Sequence, residues 1–310
     1  MTSEKKKGYS INTTDYIVKM VNHCRKHGLT ISLKNPITIQ DKLAWLNIYD
    51  VNPLKVLCAD KIKVHDYCKE KLGKDICIPI IKVYDSIDEI DLNELPNSFV
   101  LKCNHGSGMN IIVKDKDEFD FEDAKKKLTL WMADDFTFRN GFEAHYHDIE
   151  RKIFAEEYKE DSSNGLIDYK FICFNGKPTF IQIIYDRFGP KRHMNYYDVN
   201  FNYVNLARRD FRTDPLFDHK KPERLELMLS YAETLSSDFP FVRIDFYEVN
   251  GEVFLGEMTF TPGAMGFRYV RDNDNLRIGK LLDISKVEKL VAPTVTQKKN
   301  FNLHRTFGAV

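Results

Sequence analysis

Apolar residues recur at helical spacing within residues 14–70. The segments 16–21 and 42–49 place their apolar side chains three or four positions apart, which is typical of a helix with one buried face. Asp60 is of the residue type favoured at a helix N-cap, so we predict a third helix from Lys61 to about Lys71. The N-terminal part of the chain is therefore predicted to be mainly helical.

Apolar runs of strand length dominate the rest of the chain. They predict strands at 78–84, 99–104, 110–113, 153–158, 168–174, 179–185, 241–249 and 252–259. Asn175-Gly176 and Asn250-Gly251 each separate two such runs, which predicts two hairpins. Helical periodicity returns at 125–131, after an acidic run, and at 222–236. Antiparallel hairpins that alternate with helices predict an α+β fold.

The composition is that of a globular protein. Of the 310 residues 43% are hydrophobic and 30% are charged, which excludes a disordered chain. The 46 basic and 46 acidic residues cancel, so the chain has no overall positive field for DNA, RNA or an anionic membrane. We therefore expect no nucleic-acid partner, and we expect any phosphate-binding site to be local.

The sequence also bears on the compartment. No stretch approaches the roughly 18 apolar residues of a membrane span, so we expect no integral membrane segment. The N-terminus has no apolar run of the kind found in signal peptides. The six cysteines are scattered without a CxxC pair, as expected of buried free thiols in a reducing cytosol. We predict a cytoplasmic protein.

The second predicted hairpin carries charged residues at strand positions. In an alternating strand Arg243 and Asp245 point to one face, and on the returning strand Glu257 and Thr259 share a face. Two antiparallel strands can therefore bring Asp245 and Glu257 together. A pair of hard carboxylates suits Mg²⁺, which also keeps positions for phosphate and water. A solvated cross-strand salt bridge explains the same pattern.

A lysine and a glycine-bearing turn form a second candidate site. Lys102 lies within an apolar strand, where burying a charge costs free energy unless an anion pairs with it. The turn that follows it contains Gly106, Ser107 and Gly108, and glycine lets backbone amides approach phosphate oxygens closely. The alternative is a lysine that extends from an edge strand into solvent.

Six short segments in a fixed order resemble the ATP-grasp superfamily. They are Asp60-Lys61, Phe99-Val100-Leu101-Lys102 with Gly106-Ser107-Gly108, Phe154-Ala155-Glu156-Glu157-Tyr158, Asp168-Tyr169-Lys170, Arg243-Ile244-Asp245, and Glu257-Met258-Thr259-Phe260-Thr261-Pro262-Gly263. The amino-acid sequences of these segments are most similar to those of the TupA-like branch. This branch is associated with teichuronopeptide and other cell-surface polysaccharide synthesis in capsule and cell wall. The resemblance covers about residues 30–285.

The resemblance implies an ATP-grasp fold in which two α+β lobes enclose an ATP cleft, with a reduced helical N-terminal region. It implies four segments along the chain. They are a mostly helical region at 1–95, a lid subdomain at 96–160, a catalytic subdomain at 161–285 and a tail at 286–310.

The resemblance also implies which residues bind ATP. Lys61 and Lys102 are similar to the two lysines that neutralise the phosphates, and Gly106, Ser107 and Gly108 to the lid loop. The hinge at the adenine edge would comprise Glu156, Glu157 and Tyr158. A carboxylate beyond it would accept hydrogen bonds from the ribose hydroxyls, and both Glu160 and Asp168 are candidates.

The remaining roles concern metal and chemistry. Asp245 and Glu257 are similar to the Mg²⁺ ligands of the family, and Thr259 stands where many members have Asn. Arg243 would stabilise the charge on the transferred phosphoryl group. Lys170 and Arg187 would lie near the γ-phosphate or the acceptor carboxylate.

The implied function is that of an ATP-dependent carboxylate–amine ligase that forms an amide through an acylphosphate. Its substrates would be a small molecule or glycan with a carboxylate, such as a uronic acid of a cell-surface polysaccharide or its precursor, and an amine or amino acid. A kinase acting on a sugar hydroxyl, a glycosyltransferase and a non-catalytic binding module are the alternatives. The oligomeric state stays open.

Overall fold

The computed structural model describes residues 13–138, 142–160, 166–186, 190 and 192–288 of the chain. They form helices and two antiparallel sheets, so the predicted α+β class is confirmed. Within these ranges no helix has the length and apolar character that crossing a membrane requires. Arg187 and residues 289–310, most of the predicted tail, lie outside the described residues.

Four helices form the N-terminal region. They are α1 (Thr13–Lys26), α2 (Ile39–Tyr49), α3 (Pro53–Ala59) and α4 (Val64–Leu72). Helix α3 escaped prediction because seven residues are too few to show periodicity, although Pro53 at its start and the side-chain cap of Asn52 are both typical signals. The predicted helix start at Lys61 is wrong. Asp60 instead ends α3 and accepts a hydrogen bond from the N–H of Ile62 (2.9 Å), which closes a turn before α4.

The smaller sheet has four strands. They are β1 (Ile80–Tyr84), β2 (Phe99–Cys103), β3 (Asn110–Val113) and β4 (Ile153–Glu157), in the spatial order β1-β4-β2-β3. Helix α5 (Phe121–Ala133) packs near β2 and buries Ala124 and Leu128. Asp120 caps α5 by accepting a hydrogen bond from the N–H of Asp123 (2.9 Å), so the acidic run does begin a helix. The alternation of β2 buries Leu101 and leaves Lys102 partly exposed.

The larger sheet has six strands. They are β5 (Tyr169–Phe174), β6 (Lys177–Tyr185), β7 (His193–Tyr197), β8 (Tyr203–Val204), β9 (Phe241–Val249) and β10 (Glu252–Thr259), in the order β10-β9-β5-β6-β7-β8. Both predicted hairpins are confirmed, and in each turn the Asn and the Gly have positive φ, as Asn250 (52°) and Gly251 (78°) show. Strands β7 and β8 were not predicted.

Different helices pack against the two faces of the larger sheet. One face packs on α6 (Leu225–Ser236), where Phe171, Ile244 and Phe246 join the main core. The other face buries Phe241 and Ile172 in a second core shared with α2 and with α7 (Asp272–Leu281). Along β9 the positions after Phe241 on this second face are 243, 245 and 247. The candidate site therefore lies on the same face of the larger sheet as the second core, and α2 and α7 cover only part of that face.

Candidate functional site

A β-bulge aligns the two candidate metal-binding acids. In the β9–β10 hairpin Leu255 lies opposite Phe246, but Glu257 lies opposite Asp245, so Gly256 is an extra residue in β10. If the pairing continued without the bulge, Gly256 would oppose Asp245 and Glu257 would oppose Ile244 of the core, because a one-residue shift moves a side chain to the other face of the sheet. Glycine is required there, since a Cβ on Gly256 would lie 2.6 Å from Cε2 of Tyr247. The bulge therefore puts Glu257 on the same face as Asp245.

Arg243 connects the acids of this hairpin. Its Nε donates to Asp245 Oδ1 and its Nη2 to Asp245 Oδ2, both at 2.6 Å. Nη2 also donates to Glu257 Oε1 at 2.6 Å and to the hydroxyl of Thr259 at 3.0 Å. The Asp245 side chain is 1% exposed and that of Glu257 is 31% exposed, so the acids lie at different depths. All four predicted residues of the hairpin thus form one hydrogen-bonded group.

Lys170 supplies a second cation from the neighbouring strand. It lies opposite Asp245 in the β5–β9 register, and its Nζ lies 2.5 Å from Asp245 Oδ2. The same ammonium forms an ion pair with Asp168. The Lys170 side chain is 4% exposed, and a charge so deeply buried requires partners of opposite sign. The other oxygen of Asp168, Oδ1, is buried and has no hydrogen-bond partner within the described part of the chain.

Burial and charge act differently on the two acids. Burial raises the pKa of Asp245 to about 6, against the opposing effect of the Arg243 and Lys170 charges. For Glu257 burial also disfavours the charged form, but the positive charges of Arg243, Lys170 and Lys61 outweigh it and hold the pKa well below its usual range. Glu257 is therefore ionised at neutral pH.

Lys61 lies in the turn between α3 and α4, next to the glycine turn of the smaller sheet. Its Nζ donates to the carbonyl of Gly106, and its backbone N–H donates to the carbonyl of Asn104 (3.3 Å). The buried Asn104 side chain donates to Asp60 Oδ1 (3.0 Å) and accepts from the N–H of Lys152 (2.8 Å). Asn104 thus ties the turn that carries Lys61 to the ends of β2 and β4.

The glycine turn has a buried start and an exposed tip. A Cβ on Gly106 would lie 2.9 Å from Met109 Sδ and 2.9 Å from a ring carbon of Phe136, so no larger residue fits. Ser107 and Gly108 are exposed, and Gly108 has a φ of 75°, which favours glycine. The exposed backbone of this tip is free to face a ligand.

Lys102 forms an ion pair with Glu156 across β2 and β4. Both side chains line a cavity together with Lys61, Gly256 and Glu257. This cavity lies between the two sheets, because Lys102 and Glu156 come from the smaller sheet and Glu257 from the larger one. The structure therefore brings together one acid of the hairpin and both lysines that the sequence analysis singled out.

The other predicted nucleotide contacts lie outside this cavity. Glu157 ends β4 and pairs with Lys159 (2.7 Å), and Tyr158 follows it. Glu160 is exposed and pairs with Lys114 (3.1 Å) next to β3. The Glu156 side chain faces Lys102, so it belongs with the lysines rather than with Glu157 and Tyr158.

Sequence reasoning missed two buried residues of the segment before β4. Glu143 accepts a hydrogen bond from the hydroxyl of Thr261, and burial, with the nearby Glu257 charge, raises the pKa of Glu143 to about 7. Tyr146 lines the cavity, and the Lys61 ammonium lies 6.0 Å from the centre of its ring. The described residues between α5 and β4 form no strand and no helix longer than a 3-10 turn, and hence show no periodicity that could have signalled these residues.

Tyr247 is a third missed residue, and here a signal existed. It follows Arg243 and Asp245 at the alternating positions of β9, so it shares their face. The Asp168 charge and burial raise the pKa of its phenol well above the ordinary value. Tyr247 therefore stays a neutral hydrogen-bonding group next to the acids.

The donor atoms of the hairpin fit Mg²⁺. Asp245, Glu257 and Thr259 offer carboxylate and hydroxyl oxygens only, and Mg²⁺ prefers oxygen ligands from one or two carboxylates. Glu257 Oε2 takes no part in the bonds to Arg243 and Thr259, and its side chain reaches the cavity that Lys61 and Lys102 line. An anionic phosphate in that cavity would have cations on two sides.

The family model described as TupA-like ATP-grasp matches residues 41–282. No curated protein matches the sequence.

Several solved structures are similar to the chain. The D-alanine–D-alanine ligase of Bacillus anthracis complexed with ATP has 19% identity and a TM-score of 0.40, over 67% of this chain and 57% of that one. The L-amino acid ligase of Bacillus licheniformis has 13% identity and a TM-score of 0.36, over 67% of this chain and 41% of that one. The D-cycloserine synthetase DcsG has 14% identity and a TM-score of 0.41, over 86% and 92%. The chain thus spans little more than half the length of the D-alanine–D-alanine ligase.

The family match covers far more than half of the chain, and Lys61, Lys102, Asp245 and Glu257 all fall within it. The protein therefore belongs to the TupA-like ATP-grasp family.

Proposed function

We propose that this protein is an ATP-dependent carboxylate–amine ligase. The observation that carries the proposal is the β9–β10 hairpin, where the bulge at Gly256 turns Glu257 toward Asp245 and toward a cavity lined by Lys61 and Lys102. Such an arrangement of acids and cations suits the triphosphate of a nucleotide bound with Mg²⁺.

In this proposal Lys61, Lys102 and the turn 106–108 bind the phosphates, and the hinge 156–158 binds the adenine. Asp245, Glu257 and Thr259 hold Mg²⁺. The Lys102–Glu156 ion pair opens when nucleotide enters, because phosphate oxygens then replace the carboxylate as the partner of the ammonium. Either Glu160 or Asp168 accepts hydrogen bonds from the ribose hydroxyls. Asp168 has a buried oxygen, Oδ1, that takes part in no hydrogen bond within the described part of the chain.

MgATP supplies a phosphoryl group to the substrate carboxylate, and an amine then displaces phosphate from the resulting acylphosphate to give an amide. The protein's part is to position the reactants and to neutralise charge. Arg243 contacts both acids, and we assign it to the charge that develops on the transferred phosphoryl group. Its planar guanidinium can give up a hydrogen bond to one acid and donate to a phosphoryl oxygen instead. Lys170, held by Asp245 and Asp168, adds a second fixed positive charge, and Arg187 is proposed to add a third.

A buried arginine packs next to the turn after β10. Arg208 is buried, and its Nη2 lies 3.1 Å from the position that a Cβ on Gly263 would take. Asp210 partners the guanidinium, which also lies 4.7 Å from the ring centre of Phe267. We propose that the acceptor is a uronic acid of a cell-surface polysaccharide or its precursor in the cytoplasm, with an amine or amino acid as the second substrate.

Product analysis tests the ligase activity. With MgATP, a panel of uronic acids and a panel of amino acids, we expect release of ADP and phosphate only when an acid and an amine are both present. Hydroxylamine in place of the amine should give a hydroxamate. A phosphorylated sugar without hydroxamate would identify a kinase, and turnover of a sugar nucleotide without ATP would identify a glycosyltransferase; either result contradicts the proposal.

Two variants and one control connect the activity to the site. Asp245→Asn and Glu257→Gln should each lower turnover by about 100-fold or more, since a group that stabilises transition-state charge contributes on this order. Glu252→Gln, at an exposed position at the start of β10, is the control for removing one carboxylate charge from the same hairpin. Full activity of both acid variants with an unchanged circular dichroism spectrum would refute the metal assignment.

A further inference from the structure

A second group of side chains of the types that can ligate metals lies at another wall of the same cavity. His65 comes from the first turn of α4, and Asp75 and Cys77 come from the segment that leads into β1. His65 and Cys77 both line the cavity, which Glu257 also borders. None of these three residues has a part in the proposed ligase chemistry.

The donor atoms of this group converge. His65 Nδ1 lies 2.8 Å from Asp75 Oδ2, and one donor atom each of His65, Asp75 and Cys77 lies within 4.8 Å of the others. The thiol of Cys68 lies 3.8 Å from that of Cys77 but does not belong to this group of three.

The chemistry of these donors differs from that of the β9–β10 hairpin. Imidazole and thiolate favour borderline cations such as Zn²⁺ and Co²⁺, whereas the hairpin offers only oxygens. Asp75 is held in place by accepting a hydrogen bond from the N–H of Cys77 (3.0 Å). Lys69 lies 3.5 Å from the same carboxylate, but its side chain is 56% exposed and can turn into solvent.

We propose that His65, Asp75 and Cys77 form a binding site for a borderline divalent cation such as Zn²⁺, with water as the fourth ligand. The Cys77 thiol releases its proton to solvent as the thiolate binds, so no oxidant or reductant is needed. The site is separate from the Asp245–Glu257 site and does not depend on the ligase activity.

The place of this site in the fold gives it a structural consequence. Leu255, the residue before the bulge, donates its N–H to the carbonyl of Ile76 (2.7 Å), and Cys77 pairs with Leu255 in a β-bridge. A cation bound by His65 and Cys77 would therefore fasten α4 to the segment that supports β10. Metal binding should accordingly raise the melting temperature of the folded chain.

Cobalt is the probe of choice, because a thiolate bound to Co²⁺ gives a charge-transfer absorption in the near ultraviolet. Full-length protein is freed of metal with a chelator and titrated with Co²⁺ in excess Mg²⁺. We expect one equivalent to produce the band, Zn²⁺ to abolish it, and Cys77→Ser to lack it. His65→Gln should weaken Co²⁺ binding by about 10-fold or more, because removal of one ligand leaves an incomplete tetrahedral set.

Two control variants test whether the Co²⁺ band arises from this site or from the hairpin acids or another thiol. Cys24→Ser changes a buried cysteine in α1, and Asp245→Asn changes the hairpin; both should keep the band. Absence of a band in the unaltered protein, or its persistence in Cys77→Ser, would overturn the proposal. If Cys77→Ser does not fold, His65→Gln decides, because the His65 side chain is only partly buried whereas Cys77 is buried; unchanged Co²⁺ affinity in that variant contradicts the site.

Discussion

Glu257 lies opposite Asp245 because Gly256 adds one residue to β10. A regular hairpin closed by Asn250-Gly251 would place Gly256 opposite Asp245 and would turn Glu257 toward the core. The acid pair therefore depends on a backbone irregularity as well as on the two carboxylates.

The first prediction concerns Gly256→Ala. A methyl group 2.6 Å from the Tyr247 ring forces one of the two strands to shift, so we expect a loss of about 1–3 kcal/mol in the free energy of unfolding. Nucleotide binding should fall with it, because Glu257 moves. Urea unfolding and calorimetric titration with MgATP measure the two effects. The double variant Gly256→Ala/Tyr247→Ala removes the ring and should recover part of both losses; simple additivity of the two single changes would show that the ring contact is not the cause.

The second prediction concerns Lys102→Met. It removes a phosphate-binding cation and leaves Glu156 without its partner, so stability and MgATP binding should both fall. Lys102→Met/Glu156→Gln should regain stability but not MgATP binding. The shift of melting temperature caused by MgATP is the measurement. If the double variant regains the full MgATP shift, Lys102 serves only the ion pair.

The third prediction concerns Arg243→Lys. One guanidinium contacts Asp245 through two nitrogens and also reaches Glu257 and Thr259, which an ammonium cannot reproduce. We expect turnover to fall by about 10-fold or more with a loss of about 1.5–3 kcal/mol in stability, the range for hydrogen bonds to charged groups. Arg209→Lys, at an exposed position, is the control and should leave both unchanged. Equal activity of the two variants would contradict the role of the fork.

The fourth prediction concerns the pH dependence of stability through Glu143. Its pKa is raised from 4.5 to about 7 in the folded state, so the folded chain holds the proton more tightly than the unfolded chain. The stability due to this group is thus fully present below pH 4.5, falls as the pH rises, and is lost above pH 7. The loss amounts to about 3 kcal/mol. Glu143→Gln removes this titration, so its stability relative to the unaltered protein should rise between pH 4.5 and pH 7.5.

Chemical unfolding at several pH values tests this prediction. Glu118→Gln, at an exposed position, serves as the control for removing one acid. A difference between Glu143→Gln and the unaltered protein that does not change with pH would show that Glu143 does not titrate in this range.

Much of the fold could be predicted from local patterns. The bounds of β9 and β10 agree with the predicted strands, because both are apolar runs of strand length and an Asn-Gly turn joins them. The bulge between them could not be predicted, since it is a property of the pairing between the two strands and leaves no local pattern in either. Asp60 misled the helix prediction because its side chain closes a turn instead of capping a helix.

Some residues of the candidate site could likewise be predicted from the sequence, and others could not. Lys102, Asp245 and Glu257 stand out as charges within apolar strands, whereas Glu143 becomes conspicuous only when Thr261 and Glu257 are brought near it by the fold. Tyr247 could have been found, because strict alternation along β9 puts it beside Asp245.

The hydrogen bonds of Asn104 have a consequence for ligand affinity. Through Asp60 and Lys152 this amide joins the turn of Lys61 to the ends of β2 and β4, next to Gly106. A phosphate that contacts both Lys61 and the glycine turn meets two chain segments whose relative position is already set. Little conformational entropy is then left to lose on binding, and pre-organisation of this kind improves affinity without adding a single contact.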